Sequence, residues 1–230
     1  MSETPATSIR LAATVVLLRD APGGMQALLL RRNSKLAFGG GAWVFPGGAV
    51  DQADFAGVPD DLDAAAWRAA VREAREEAGM CLADTDLQYF SHWTAPPEAP
   101  KRFSTWFFLG EADSQEVSVD GGEIHDHRWF RPGDALVAQR EQQIELMPPT
   151  FVTLVELADC DSAASARAYY QRRGLRRYAT RFTTQGDRVC MLYEGDAGYE
   201  ARDPERSGPQ HRLWMHPDGW RYVSTQDGRE

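Results

Sequence analysis

Apolar positions along this chain change their period several times, and each change predicts an element. Residues 9–19, IRLAATVVLLR, are a near-continuous apolar run with β-branched residues at the centre, and 25–32, MQALLLRR, form a second run. The APGG between them (21–24) is a turn sequence, so the pair predicts a hairpin of buried strands. The glycine-rich stretch 38–50, FGGGAWVFPGGAV, predicts a loop whose backbone can approach another group closely. From Val58 the period becomes helical. Trp67, Ala70, Val71, Ala74 and Ala78 share one face, Asp60 or Asp61 offers an N-cap, and Gly79 offers a stop. Glu73, Glu76 and Glu77 are expected on the opposite side of this helix.

Downstream, 86–96 and 101–111 read as strands joined by a proline-rich loop, and 124–132 reads as a short strand. Helical patterns follow at about 132–141, 148–158 and 163–173, then short strands within 177–223. There is no internal repeat. Residues 1–8 are small and polar and predict a mobile tail. The expected organisation is therefore a tail (1–8), an α/β core (9–145) and a C-terminal elaboration (146–230) of helices and short strands packed on that core.

Composition narrows the function classes. Hydrophobic residues make up 43% of the 230 residues and aromatics 10%, enough for a packed core. The formal net charge of −9 repels nucleic acid and anionic membrane, so neither is an expected partner. An anionic substrate would need a local cationic patch or a metal ion. No stretch approaches the roughly 20 apolar residues of a membrane span. Cys81, Cys160 and Cys190 are far apart and form no CxxC pair, which predicts buried thiols in a reducing, cytoplasmic setting. The C-terminal DGRE is not a peroxisomal address of the SKL type.

The candidate chemistry lies in VREAREEAGM, residues 71–80. Residues at i, i+3 and i+4 share a helix face, so Glu73, Glu76 and Glu77 converge within about one turn. Like charges so close repel, unless a cation sits among them. Clustered carboxylate oxygens are the ligands that hard divalent cations prefer. Arg72 adjoins the cluster and is placed to orient a glutamate.

Gly48, Arg72, Glu73, Glu76, Glu77 and Gly79, with Met80 at the last apolar position, resemble the Nudix box, G-x5-E-x7-R-E-U-x-E-E-x-G-U, where U is bulky and apolar. Asp54 stands at the box's first glutamate position, and 17 residues separate it from Arg72 where the family usually has 7. This departure puts the role of Asp54 in more doubt than that of the glutamates. The resemblance implies a Nudix-type α/β/α sandwich with a mixed sheet. It also implies hydrolysis of a pyrophosphate linked to another moiety with Mg²⁺ or Mn²⁺ as cofactor. Glu73, Glu76 and Glu77 become the expected metal ligands, with Glu76, Glu123 and Arg72 as the catalytic set. Glu76 and Glu123 are alternative general bases.

A finer resemblance is carried by LLLRRNSKLAFGGGAWVFPGGAVDQAD, the long insertion, KRFSTWFF, LMPPTFVTLVEL and the late YEGDAGY…HRLWM. These are similar to the branch with an interrupted box that includes peroxisomal coenzyme A diphosphatases. That implies CoA or acyl-CoA as substrate, cleaved to 3′,5′-ADP and (acyl-)phosphopantetheine. ADP-ribose, NADH and NDP-sugars stay open as alternative nucleoside-diphosphate substrates. Gly47, Gly48, Arg32, Lys101 and Arg102 are the expected substrate contacts, the cations because a guanidinium or ammonium suits phosphate. Trp43, Phe45, Trp93 and Trp106 are core residues at strand positions, with base stacking as the lesser reading. The rival class is a non-catalytic Nudix module that senses a ligand or binds a protein; retention of all three glutamates favours the enzyme. Oligomeric state is not readable from the sequence; a homodimer is offered by analogy with the family alone.

Overall fold

The computed structural model describes residues 8–36, 39–82, 87–112, 116–119 and 121–229. All but Ser8 of the expected N-terminal tail lies outside them. The first two runs form strands β1 (Ile9–Ala21) and β2 (Gly24–Arg32), an antiparallel hairpin. Both faces of this hairpin are buried, which explains why the runs are continuous and not alternating. Val15, Leu17, Leu28 and Leu30 enter one core cluster, and Val16, Leu18, Ala27 and Leu29 enter the other.

The glycine-rich stretch is not only a loop. It carries two short strands, β3 (Trp43–Val44) and β4 (Gly47–Ala49). These exist because the hairpin splays. β1 pairs with β2 only through Leu18–Ala21; further along, Ala12–Thr14 of β1 pair with β4, and Leu30 and Arg31 of β2 pair with β3. The FPGG segment thus crosses the opening, and Val15 N–H is hydrogen-bonded to the Pro46 carbonyl at 2.9 Å.

After a 3₁₀ turn at Gln52–Phe55 comes helix α1 (Leu62–Ala78). Of the two candidate N-caps the structure uses Asp61, whose side chain accepts from Ala64 N–H, and Gly79 ends the helix at φ 67°, in the left-handed region. The buried stripe is made mainly of alanines: Ala66, Ala69, Ala70, Ala74 and Ala78 pack on the sheet. Trp67 and Val71, expected on the apolar face with Ala70, Ala74 and Ala78, are half-buried at its edge. Small side chains let α1 approach closely, and the larger two fit only at the margin. Glu77 is buried on the alanine side, so the expectation that the glutamates face away from the core fails for it.

The remaining elements are β5 (Gln88–Thr94), β6 (Arg102–Glu111), β7 (Ile124–Phe130), α2 (Pro132–Arg140), α3 (Pro148–Leu157), α4 (Ala163–Arg173) and β8 (Arg176–Ala179). The main sheet runs β3-β2-β1-β6-β5-β8, with β4 beside β1 and β7 beside β2. It is mixed: β1–β6 and β5–β8 are parallel and the other pairs antiparallel. Helix α1 covers one face; α2, α3 and α4 cover the other. A second, antiparallel sheet of β9 (Arg181–Gln185), β10 (Arg188–Leu192), β11 (His211–His216) and β12 (Gly219–Ser224) joins the same core through Leu213, Tyr222 and nearby Tyr193.

His211 anchors that sheet. It is 2% exposed, its Nδ1 lies 2.7 Å from the Glu194 carbonyl and its Nε2 lies 3.0 Å from the Tyr222 hydroxyl. Burial pushes its pKa down to about 4, against the opposing pull of the Glu194 carbonyl. An unfolded histidine titrates near 6.5, so protons favour the unfolded chain between these values. The stabilisation is complete above about pH 6.5 and drains away as pH falls toward about 4, a loss of about 3 kcal/mol. Urea unfolding at pH 7 and pH 4.5 is expected to show this loss, and His211→Gln is expected to flatten the slope over that range. An unchanged slope would mean that the imidazole does not titrate with folding.

Candidate metal and phosphate site

The last two turns of α1 lie against the FPGG crossing. Glu77 is 7% exposed and accepts a hydrogen bond from Gly47 N–H at 2.9 Å. A Cβ at Gly47 would run into the Ala13 backbone carbonyl, and one at Gly48 would push the Glu73 carboxylate aside. The two glycines expected to contact substrate therefore hold the glutamates, presenting backbone to them at close range.

Arg72 organises the rest. Its Nε and one terminal nitrogen grip the Asp54 carboxylate at 3.2 and 3.0 Å, and that terminal nitrogen also donates to the Ala49 carbonyl at 2.9 Å. The other terminal nitrogen meets Glu73 at 2.6 Å and Glu76 at 3.1 Å. Asp54 is 5% exposed and accepts from Asp51 N–H at 2.8 Å. Asp54, the residue set furthest from the usual box by the insertion, stands against the Arg72 guanidinium. The insertion loops out between the two, and Asp54 still reaches the guanidinium within hydrogen-bond distance, because added loop length costs little. Arg68 ties the insertion down by donating to the carbonyls of Asp54 and Ala56. Sequence reasoning missed this clamp; an Arg and an acid 18 positions apart give no periodic signal.

Burial shapes the electrostatics. Desolvation pushes the Glu77 carboxyl up to about 8; Gly47 N–H and Arg32 counter it, while Glu73 and Glu123 add to it. Glu73 is raised too, by burial first and against the pull of Arg72. Two desolvated carboxylates side by side are costly without positive charge nearby. Among the described residues no three acidic, histidine or cysteine side chains already stand at ligand spacing, since Arg72 draws Glu73 and Glu76 to itself and Gly47 holds Glu77. The donor set nevertheless has the chemistry of a hard-cation site, with three carboxylates within about one helical turn and a net negative, partly dry environment.

Two more expected residues come to the same place. Arg32 and Glu123 both act electrostatically on Glu77. They are adjacent because β2 and β7 pair and Asn33 N–H donates to the Glu123 carbonyl at 2.7 Å. The Arg32 Nε is shut off from solvent and has no hydrogen-bond partner among the described residues, as expected of a guanidinium that waits for an anion. Lys101 and Arg102 do not join them. Parallel pairing sets Arg102 opposite Ile9 and Thr105 opposite Ala12, so Arg102 stands about 10 Å further along the sheet than Ala49. There it acts on Glu98, which is paired with Arg202 at 2.6 Å. Trp43, Phe45, Trp93 and Trp106 are all buried, and Trp93 stacks on Tyr178 at 3.8 Å.

Comparison with known proteins agrees with this geometry. The NUDIX domain family matches residues 9–150, more than half of the chain. An acyl-coenzyme A diphosphatase NUDT19 of Gallus gallus is 28% identical over 141 residues, 57% of this chain and 37% of that protein. The chain thus spans little over a third of the relative's length. The crystal structure of a NUDIX hydrolase from Alicyclobacillus acidocaldarius superposes with a TM-score of 0.65 at 27% identity, covering 70% of this chain and 96% of that one. The NUDIX domain of Shewanella oneidensis NrtR, solved with ADP ribose, shares the fold at a TM-score of 0.50 and 16% identity, over 74% of this chain and 93% of that one. With the match running through β1, the FPGG crossing, α1 and β7, this chain belongs to the NUDIX domain family and its core is folded as a Nudix hydrolase.

Proposed function

We propose that the chain is a divalent-metal-dependent hydrolase of a pyrophosphate linkage and that CoA or an acyl-CoA is its substrate. The observation that carries the reading is the placement of desolvated Glu73 and Glu77 beside Glu76, the Gly47–Gly48 backbone and Arg32. Glu73, Glu76 and Glu77 would hold Mg²⁺ or Mn²⁺, which when bound neutralises phosphate charge and acidifies water. The chain's own residues do the rest. Arg32 meets a phosphate oxygen, and Arg72, clamped by Asp54, fixes the orientation of Glu73 and Glu76. Glu123, which acts electrostatically on Glu77, accepts the proton of the attacking water; Glu76 is the alternative base.

The CoA assignment draws on the relative's name and on the interrupted box, and it requires a direct test. The purified chain should be offered CoA, acyl-CoA, ADP-ribose, NADH and an NDP-sugar with Mg²⁺ or Mn²⁺. The expected result is release of 3′,5′-ADP from the CoA compounds. Preferred cleavage of another compound would move the substrate within the same chemistry. Tight binding of one compound without turnover would favour a sensor.

The clamp gives a second prediction. Asp54→Ala frees the Arg72 fork, and residues that orient metal ligands typically matter 10–100-fold. A fall in kcat of about that size is expected, with metal affinity weakened and KM less affected, and partial recovery in Asp54→Asn. A KM effect alone would assign Asp54 to substrate contact.

A further inference from the structure

A cavity lies on the sheet face opposite α1. It occupies about 470 Å³ between β2–β3, the end of α2 with the residues after it, and the β11–β12 turn. That volume falls in the range of small-molecule sites. Arg31 and Arg140 line it, together with Trp220, His216, Gln142 and Glu145. Among the described residues neither arginine side chain has a hydrogen bond, ion pair or ring contact. Two unpaired guanidiniums sharing a hollow are notable in a chain with a net charge of −9, where carboxylates are plentiful. His216 is not a third free cation, because Asp187 at 3.5 Å and Asp218 at 3.1 Å flank it. Trp220 is half-buried and meets Phe151 at 61°, so its ring is held from one side only. Gln142 sits at φ 59° just past the end of α2, a left-handed residue that closes the helix and turns the chain along the cavity wall.

We propose that this cavity binds a small phosphorylated molecule with a heteroaromatic ring, of the nucleoside monophosphate class. The two guanidinium forks suit the phosphate, which they can meet in bidentate fashion. The indole of Trp220 suits the ring, and the glutamine amide supplies both a donor and an acceptor for its edge. Glu145 disfavours a ligand carrying charge at every edge, which selects for a neutral ring at that end. Because α1 and its glutamates lie across the sheet, the site is separate from the pyrophosphate chemistry and stands whether or not that reading holds. Its far wall comes from the C-terminal sheet, so an occupant would bridge that sheet to the core.

The test is calorimetric titration of AMP into the full chain in metal-free buffer, repeated with Glu77→Gln, with R31Q, with R140Q and with the double variant R31Q/R140Q. One AMP per chain is expected, unaffected by Glu77→Gln and weakened at least tenfold in the double variant, with an intermediate loss in each single variant. Both arginines are exposed, so circular dichroism of the variants should match the unmodified chain. Inorganic phosphate is expected to bind more weakly than AMP. No AMP binding to the unmodified chain, equal affinity in the double variant, or loss through Glu77→Gln would overturn the proposal. Phosphate binding as tightly as AMP would overturn ring recognition.

Discussion

Replacing Glu77 by Gln is expected to abolish metal-dependent turnover while leaving the metal-free protein as stable as before, or more so. The side chain is nearly sealed from water, and burial drives its carboxyl up to about 8. Without a cation the ionised form is a liability, and the amide is a close isostere that keeps an oxygen for Gly47 N–H. With a cation the balance reverses, because the amide brings no charge to neutralise it. Losing one preorganised electrostatic element in such a site typically lowers kcat on the order of 10²–10³-fold. The two halves are separable: activity assays read the first, and thermal melts with and without Mg²⁺ or Mn²⁺ read the second. The unmodified chain should melt higher on adding metal, and the variant should not. A variant that loses activity through a lower metal-free Tm would instead give Glu77 a purely structural part.

The largest loss of stability is expected from Glu156→Ala, far from the cleft. Glu156 on α3 is 1% exposed and joins four partners. Arg173 of α4 donates at 2.7 Å, Tyr178 of β8 at 3.0 Å and Tyr170 of α4 at 3.2 Å, while Arg176 stands 3.7 Å away and is itself paired with Asp227. Truncation leaves the Arg173 guanidinium, 5% exposed, without its counter-charge. Breaking a buried pair from one side costs about 3–5 kcal/mol. For a chain of this length that corresponds to a drop in Tm on the order of 10 °C. Calorimetry on the variant checks it, and Glu156→Gln should fall between the two because its amide oxygen still accepts from the tyrosines. A Tm within about 2 °C of the unmodified chain would show that the network contributes little.

Most of the secondary structure was readable in the sequence because its determinants are local. The runs of β1 and β2, the 3.6 period of α1 with Asp61 and Gly79 at its ends, and the Met147-Pro148-Pro149 start of α3 each lie within a few residues of what they determine. The acidic face was readable for the same reason, since Glu73, Glu76 and Glu77 need only helical spacing to come together. The short strands β3 and β4 were not, because they exist only where the β1–β2 hairpin splays and leaves partners free.

The sequence by itself thus determined the elements, the acidic turn of α1 and the family to which the chain belongs. Tertiary structure decided which distant side chains meet that turn. It placed Arg32 and Glu123 near Glu77 through the β2–β7 pairing, and it carried Lys101 and Arg102 away through the parallel register of β1 and β6. It returned Asp54 to Arg72 across the insertion and turned Glu77 toward the alanine stripe, away from solvent. The physical reason is that helical spacing fixes neighbours within a turn, whereas strand register, loop closure and burial are settled only when the whole core packs.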